Sequence, residues 1–120
     1  MILVDTSVWV DHFSRRNDAL ADLLGDSQVL CHPFIVGELA CGNLKRRSEI
    51  LGMMRNLPEA PLVEHHEVLA MIERHRLAGS GIGWIDAHLL ASTLLAGTYL
   101  WTLDRPLAQA SRKVSVLATP

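Results

Sequence analysis

The chain begins Met1-Ile2-Leu3-Val4 and then meets an acid, Asp5, followed by two hydroxyls, Thr6 and Ser7. Three consecutive apolar residues leave no polar face to turn towards water. Such a run fits a strand covered on both sides, as in the middle of a parallel sheet. A parallel neighbour needs a crossover, and the crossover is usually a helix. This one feature directs the chain towards alternating strands and helices.

The remaining sequence has that alternation. Thr6 or Ser7 is expected to cap a helix carrying Val8, Trp9 and Val10. Asn17 or Asp18 is expected to cap a second, with Leu20, Leu23 and Leu24 at helical spacing and Gly25 as its stop. Gln28 to Cys31 reads as a short strand, and Pro33 suits the first turn of a helix running to about Cys41. Asn43 is expected to cap the next helix, with Ile50, Leu51, Met54 and Leu57 on one face; Pro58 and Pro61 end it. Glu64 to Ala78 reads as a helix with Val68, Leu69, Ile72 and His75 on one face. Gly79, Gly81 and Gly83 make a loop, and Trp84 to Ala96, apolar nearly all round, reads as a buried helix. Tyr99 to Leu103 is a strand, Asp104 to Ser111 a short helix and Val114 to Leu117 a last strand. The pattern predicts an α/β sandwich around a small, mostly parallel sheet.

A chain of 120 residues is expected to form one domain, residues 1–120. With 49% apolar and 20% charged residues, it is not a disordered composition. Aromatic residues are sparse at 5%, which argues against a base-stacking surface. Eleven basic and 13 acidic residues give a net charge of −2, so any contact with nucleic acid must come from local patches. Cys31 and Cys41 are too few for a disulfide framework or a four-cysteine zinc site and read as buried thiols in a reducing cytosol. No basic segment precedes the first apolar run, so a signal peptide is not expected. The longest apolar stretch, Leu89 to Gly97, is too short for a membrane span. A cytoplasmic protein is expected.

Four acids sit in apolar company: Asp5 after ILV, Glu38 in PFIVGELAC, Asp86 in GWIDAHLLAS and Asp104 after YLWTL. Each has an ordinary explanation. Asp5 and Asp104 could cap helices, Asp86 could complement a helix dipole, and Glu38 could reach out from an amphipathic helix. Jointly they say more. Asp5 and Asp104 follow predicted parallel strands and so share the carboxyl edge of the sheet, where open α/β folds bind ligands. Asp86 opens a helix and Glu38 lies early in another, at the same edge. Carboxylates crowded together repel, by roughly 4 kcal/mol per pair at 4 Å in an effective dielectric near 20. A cation would relieve them, and an all-oxygen set favours Mg²⁺ or Mn²⁺. That points to phosphoryl transfer or phosphodiester hydrolysis.

These same segments, MILVDTSVWVDHF, PFIVGELACG, GIGWIDAHLLAS and LWTLDRPLA, resemble the signature segments of PIN-domain ribonucleases. In particular they are similar to the VapC toxins of bacterial toxin–antitoxin pairs, in order and over nearly the whole chain. The resemblance implies a three-layer α/β/α sandwich and an acidic quartet of Asp5, Glu38, Asp86 and Asp104. It implies supporting hydroxyls on Thr6 or Ser7 and on Thr102. It further implies Mg²⁺- or Mn²⁺-dependent cleavage of RNA, often structured RNA such as transfer RNA, a VapB-type antitoxin and a homodimer.

Lys45-Arg46-Arg47 is the densest basic run and could position RNA phosphates, or simply open a solvated helix. Arg105, directly after Asp104, is a further candidate. Gly79-Ser80-Gly81-Ile82-Gly83 follows a helix and is not a dinucleotide fingerprint. His12 and His88 read as packing or hydrogen-bonding histidines. Two rival readings stand beside the nuclease. An aspartate-based phosphoryl-handling domain would use Asp5 as nucleophile, but no second Asp stands two residues after it. A non-catalytic binding module would use the four acids only as caps.

Overall fold

The apolar run after Met1 lies in the middle of the sheet. The computed structural model describes residues 1–120. Its elements are β1 (Ile2–Val4), α1 (Thr6–Arg15), α2 (Asp18–Gly25), β2 (Val29–Leu30), α3 (Pro33–Cys41), α4 (Arg47–Arg55), α5 (His65–Arg74), α6 (Trp84–Ala96), β3 (Tyr99–Trp101) and α7 (Arg105–Lys113). The strand order is β2-β1-β3, with both pairings parallel. Leu3 pairs with Leu30 on one side and Leu100 on the other. Leu3 and Val4 point to opposite faces, and both are fully buried. This is the α/β sandwich that the alternation predicts.

The strands are shorter than the sequence implies. Gln28–Cys31 contracts to Val29–Leu30, and Cys31 continues only as a bridge to Glu59. There the Cys31 N–H donates to the Pro58 carbonyl and the Ala60 N–H to the Cys31 carbonyl, each at 2.8 Å. Pro58 and Pro61 have no N–H to extend that ladder. At the other edge, the expected strand Val114–Leu117 is a single bridge between Leu117 and Leu100. Strand β3 ends at Trp101 because the next residues turn to build the site described below.

One cluster of 25 buried apolar residues forms the core, with Trp9, Ile35, Leu89 and Leu90 fully enclosed. Helix α2 is capped as expected, the Asn17 side chain accepting from the Leu20 N–H at 3.1 Å. Other expectations fail. Helix α4 starts at Arg47 and not at Asn43, and Arg46 precedes it in a left-handed conformation, with φ at 54°. Helix α5 covers His65–Arg74 only and buries Val68 and Met71, while Leu69 is exposed. Trp84 and Ile85, at the start of α6, are also exposed. Cys41 is exposed because it ends α3, whereas Cys31 is buried in the core. Burial pushes the Cys31 thiol up to about 11. No helix is long and apolar enough to cross a membrane.

His32 is a buried polar residue that patterning did not single out. It caps α3: its Nδ1 accepts from the Phe34 N–H at 3.0 Å. The proton therefore sits on Nε2, which donates to Ser92 Oγ at 3.2 Å. The side chain is fully buried. Burial first, then the neighbouring His88, pushes its pKa down to about 4. The folded state thus favours neutral imidazole. That stability is complete above the unfolded pKa near 6.5 and is lost as pH falls from there towards 4. The loss approaches about 3 kcal/mol at the acid end. His32→Asn keeps a capping acceptor but does not titrate. Thermal melts between neutral pH and about pH 4 should show a shallower acid loss in this variant than in the wild type. Equal slopes would contradict this role.

Candidate active site

Asp5 follows β1 directly, and its N–H donates to the Trp101 carbonyl at 2.9 Å. This extends the β1–β3 ladder by one bond and draws Asp5 against the residues that follow β3. Its carboxylate is only 5% exposed. One oxygen, Oδ2, accepts from Ser7 Oγ at 2.8 Å and from Thr102 Oγ1 at 2.7 Å. Each hydroxyl also accepts a backbone N–H from the turn between β3 and α7. Ser7 Oγ accepts from Leu103 at 2.9 Å, and Thr102 Oγ1 accepts from Asp104 at 3.0 Å. Two backbone donors are therefore relayed through two hydroxyls onto one carboxylate oxygen. The other oxygen, Oδ1, is left without a hydrogen bond from the chain.

The expected capping role of Thr6 or Ser7 is not what forms. Asp5 occupies the cap position of α1, and its side chain makes no capping bond. Thr6 instead donates to Glu38 Oε1 at 2.8 Å, tying the start of α1 to the middle of α3. Asp104 does cap α7, accepting from the Leu107 N–H at 3.2 Å. Asp86, in the first turn of α6, accepts from the Gly83 N–H at 3.3 Å.

The four acids come together around Asp86. Its carboxyl is pushed above the ordinary range, first by burial and then by the negative charges of Asp5, Asp104 and Glu38; the Gly83 N–H opposes the shift. All three partners thus lie within Coulombic reach of one half-buried carboxyl. In the positions observed, no three His, Cys, Asp or Glu side chains are close enough to hold a metal ion together. Asp5 Oδ1 and the repelled Asp86 nevertheless form the kind of hard-oxygen set that a hydrated divalent cation relieves.

The basic residues divide. Arg47 is spent on structure, its guanidinium donating to the Ala40 carbonyl and to the Gly42 carbonyl, the latter at 3.2 Å. It satisfies the open C-terminal end of α3, the helix that carries Glu38. Lys45 and Arg46 instead line a cavity of about 940 Å³ whose far end is Thr6 and Glu38. Arg105 opens α7 and is exposed. His12 is a hydrogen-bonding histidine as expected, its Nδ1 accepting from the Asn17 N–H at 3.0 Å.

A second feature went unread in the sequence. His32, Phe34, His88, Trp84 and His65 form a row of rings with successive centroids 5.0, 4.9, 4.7 and 4.8 Å apart. The four-residue spacing of Trp84 and His88 was a signal for part of it. The rest joins three separate helices and is visible only in the fold.

Residues 2–113 match the PIN domain family. The chain is also 45% identical over 117 residues to Ribonuclease VapC32 of Mycobacterium tuberculosis strain CDC 1551 / Oshkosh. The match covers 97% of this chain and 94% of that protein. The protein of the same name from strain ATCC 25618 / H37Rv matches to the same extent. The chain belongs to the PIN-domain family and, within it, to the VapC ribonucleases.

Proposed function

We propose that this chain, acting as one PIN domain over residues 1–120, is a toxin-type endoribonuclease that hydrolyses RNA phosphodiester bonds. Asp5, Glu38, Asp86 and Asp104 would hold Mg²⁺ or Mn²⁺. A VapB-type antitoxin would neutralise it, and it would work as a cytoplasmic homodimer on RNA such as transfer RNA. The observation that carries the reading is the repulsion of Asp86 by three other carboxylates. Bound there, the ion would lower the pKa of a water and offset charge on the phosphate oxygens.

The chain's own residues prepare the site. Ser7 and Thr102 fix the Asp5 carboxylate by holding one oxygen, which leaves Oδ1 for the ion. Thr6 fixes Glu38, and the α7 cap fixes Asp104. Asp86 keeps the least support and the most repulsion, so it gains most from a cation. Lys45 and Arg46 suit the phosphates of a strand that leaves the acids along the adjoining cavity. Arg105, beside Asp104, suits a phosphate on the other side. Water attacks phosphorus and the 3′ oxygen departs, so one fragment ends in a 3′-hydroxyl and the other begins with a 5′-phosphate.

RNA cleavage should therefore stop in EDTA and return with excess Mn²⁺ or Mg²⁺. End analysis should find 3′-hydroxyl and 5′-phosphate termini. Cyclic 2′,3′-phosphate ends would mean that the ribose hydroxyl attacks, and the hydrolytic reading would fail.

A second test separates ion-binding acids from caps. Asp86→Asn keeps an acceptor for the Gly83 N–H but removes the repelled charge. It should raise the metal-free stability at neutral pH by about 1 kcal/mol, a figure discounted because the group is half exposed. It should also abolish cleavage and the rise in Tm that Mn²⁺ produces in the wild type. Asp22→Asn, on the exposed side of α2, is the control and should stay within about 0.5 kcal/mol of the wild type. A metal-free Tm unchanged by Asp86→Asn, with the Mn²⁺ response intact, would leave Asp86 as a cap only.

A further inference from the structure

We propose that Trp84, backed by His88 and Phe34, is a stacking platform for one unpaired base of the RNA, fixed beside the carboxylate cluster. The inference rests on the ribonuclease reading and adds what decides where that activity cuts. The chain has only three Trp, one Tyr and two Phe. Trp9 and Trp101 are buried at 0% and 7% exposure, whereas Trp84 is 39% exposed. A large aromatic side chain left open to water is unusual in so aromatic-poor a chain, and this one is not isolated. Its ring stands at 88° to His88 and at 55° to His65, with centroids 4.7 and 4.8 Å away. Phe34 meets His88 from α3 at 4.9 Å and 67°. Neither ring contact of Trp84 is parallel, so the indole is propped from its sides and no ring of the chain is stacked flat on it.

The position ties this platform to the acids. Trp84 begins the helix whose third residue is Asp86, and Phe34 lies one helical turn before Glu38. The same two helices therefore carry both the ring cluster and two of the four carboxylates. Asp86 feels the charge of Glu38, and Phe34 touches His88, so the helices approach at both places. A base seated on Trp84 would lie at a fixed offset from the bond held at the acids. Any base offers a π face, so the platform selects for an unpaired position more than for base identity. The composition counts aromatic residues but does not show that they gather at the site.

The test begins by mapping a wild-type cut and making a short single-stranded RNA that spans it. A series of the same RNA carries one abasic ribose at each position near the cut. One abasic position should lower wild-type kcat/KM by roughly ten- to a hundredfold, the range expected for losing one stacked base. Trp84→Ala should lose a similar factor on intact RNA and then be indifferent to that abasic site. Trp84→Phe, which keeps a ring, should recover most of the activity and guards against a folding defect. Fluorescence gives a readout without turnover. In the Asp86→Asn background the uncut RNA should quench emission, and Trp84→Phe should remove the quenching. Wild-type kcat/KM in Trp84→Ala, or an undiminished abasic penalty in that variant, would overturn the proposal. So would a Trp84→Ala protein that merely dissociates from dimer to monomer in sedimentation, since the face would then belong to a second copy of the chain. A wild type that cuts no RNA in Mn²⁺ would refute the ribonuclease reading itself, and this inference with it.

Discussion

The structure turns on one oxygen atom, Oδ2 of Asp5. A buried carboxylate is costly unless its charge meets donors, and hydrogen bonds to charged groups are worth about 1.5–3 kcal/mol each. Here the donors are Ser7 and Thr102, one from the turn after β1 and one from the turn after β3. Each hydroxyl in turn accepts a backbone N–H from Leu103 or Asp104. Short strands alone would hold these turns weakly, since β1 and β3 have three residues each. The Asp5 relay locks the carboxyl edge of the sheet where the ladder has run out. The same bonds set the direction of α1 and α7, and with them Thr6 and Asp104.

From that lock the other acids follow. Thr6 holds Glu38 across from α1, and Arg47 closes the end of the helix on which Glu38 sits. Asp104 caps its helix and faces Asp86 at the same time. The fold thus spends backbone and hydroxyl donors on three carboxylates and leaves the fourth, Asp86, half buried among like charges. Such local strain is characteristic of sites that wait for a ligand, and it trades stability for function.

Much of this was legible in the residues. Ile2-Leu3-Val4 could only be a covered strand, and acids in apolar sequence marked the carboxyl edge. The ordinary and the functional explanations of Asp104 also turned out to be compatible, because a capping carboxylate still carries its charge into the site. What was not legible depends on contacts between distant segments. Nothing near Arg47 in sequence says that its guanidinium will satisfy carbonyls at the end of α3, so the basic run looked like three equal candidates. Leu69 fits the apolar spacing of α5, yet only a narrow stripe through Val68 and Met71 meets the core. The ring cluster draws on α3, α5 and α6, and no single stretch of sequence contains it.

The central claim is that Asp5, Glu38, Asp86 and Asp104 act as one ion-binding site. Amide NMR spectra with substoichiometric Mn²⁺ test this most directly, because the paramagnetic ion broadens nearby signals wherever it binds. The account predicts that signals around Asp5, Ser7, Glu38, Asp86 and Leu103 vanish together, while those of α2, including Asp18 and Asp22, persist. Broadening spread over the exposed acids, or none around Asp5 and Asp86, would contradict it.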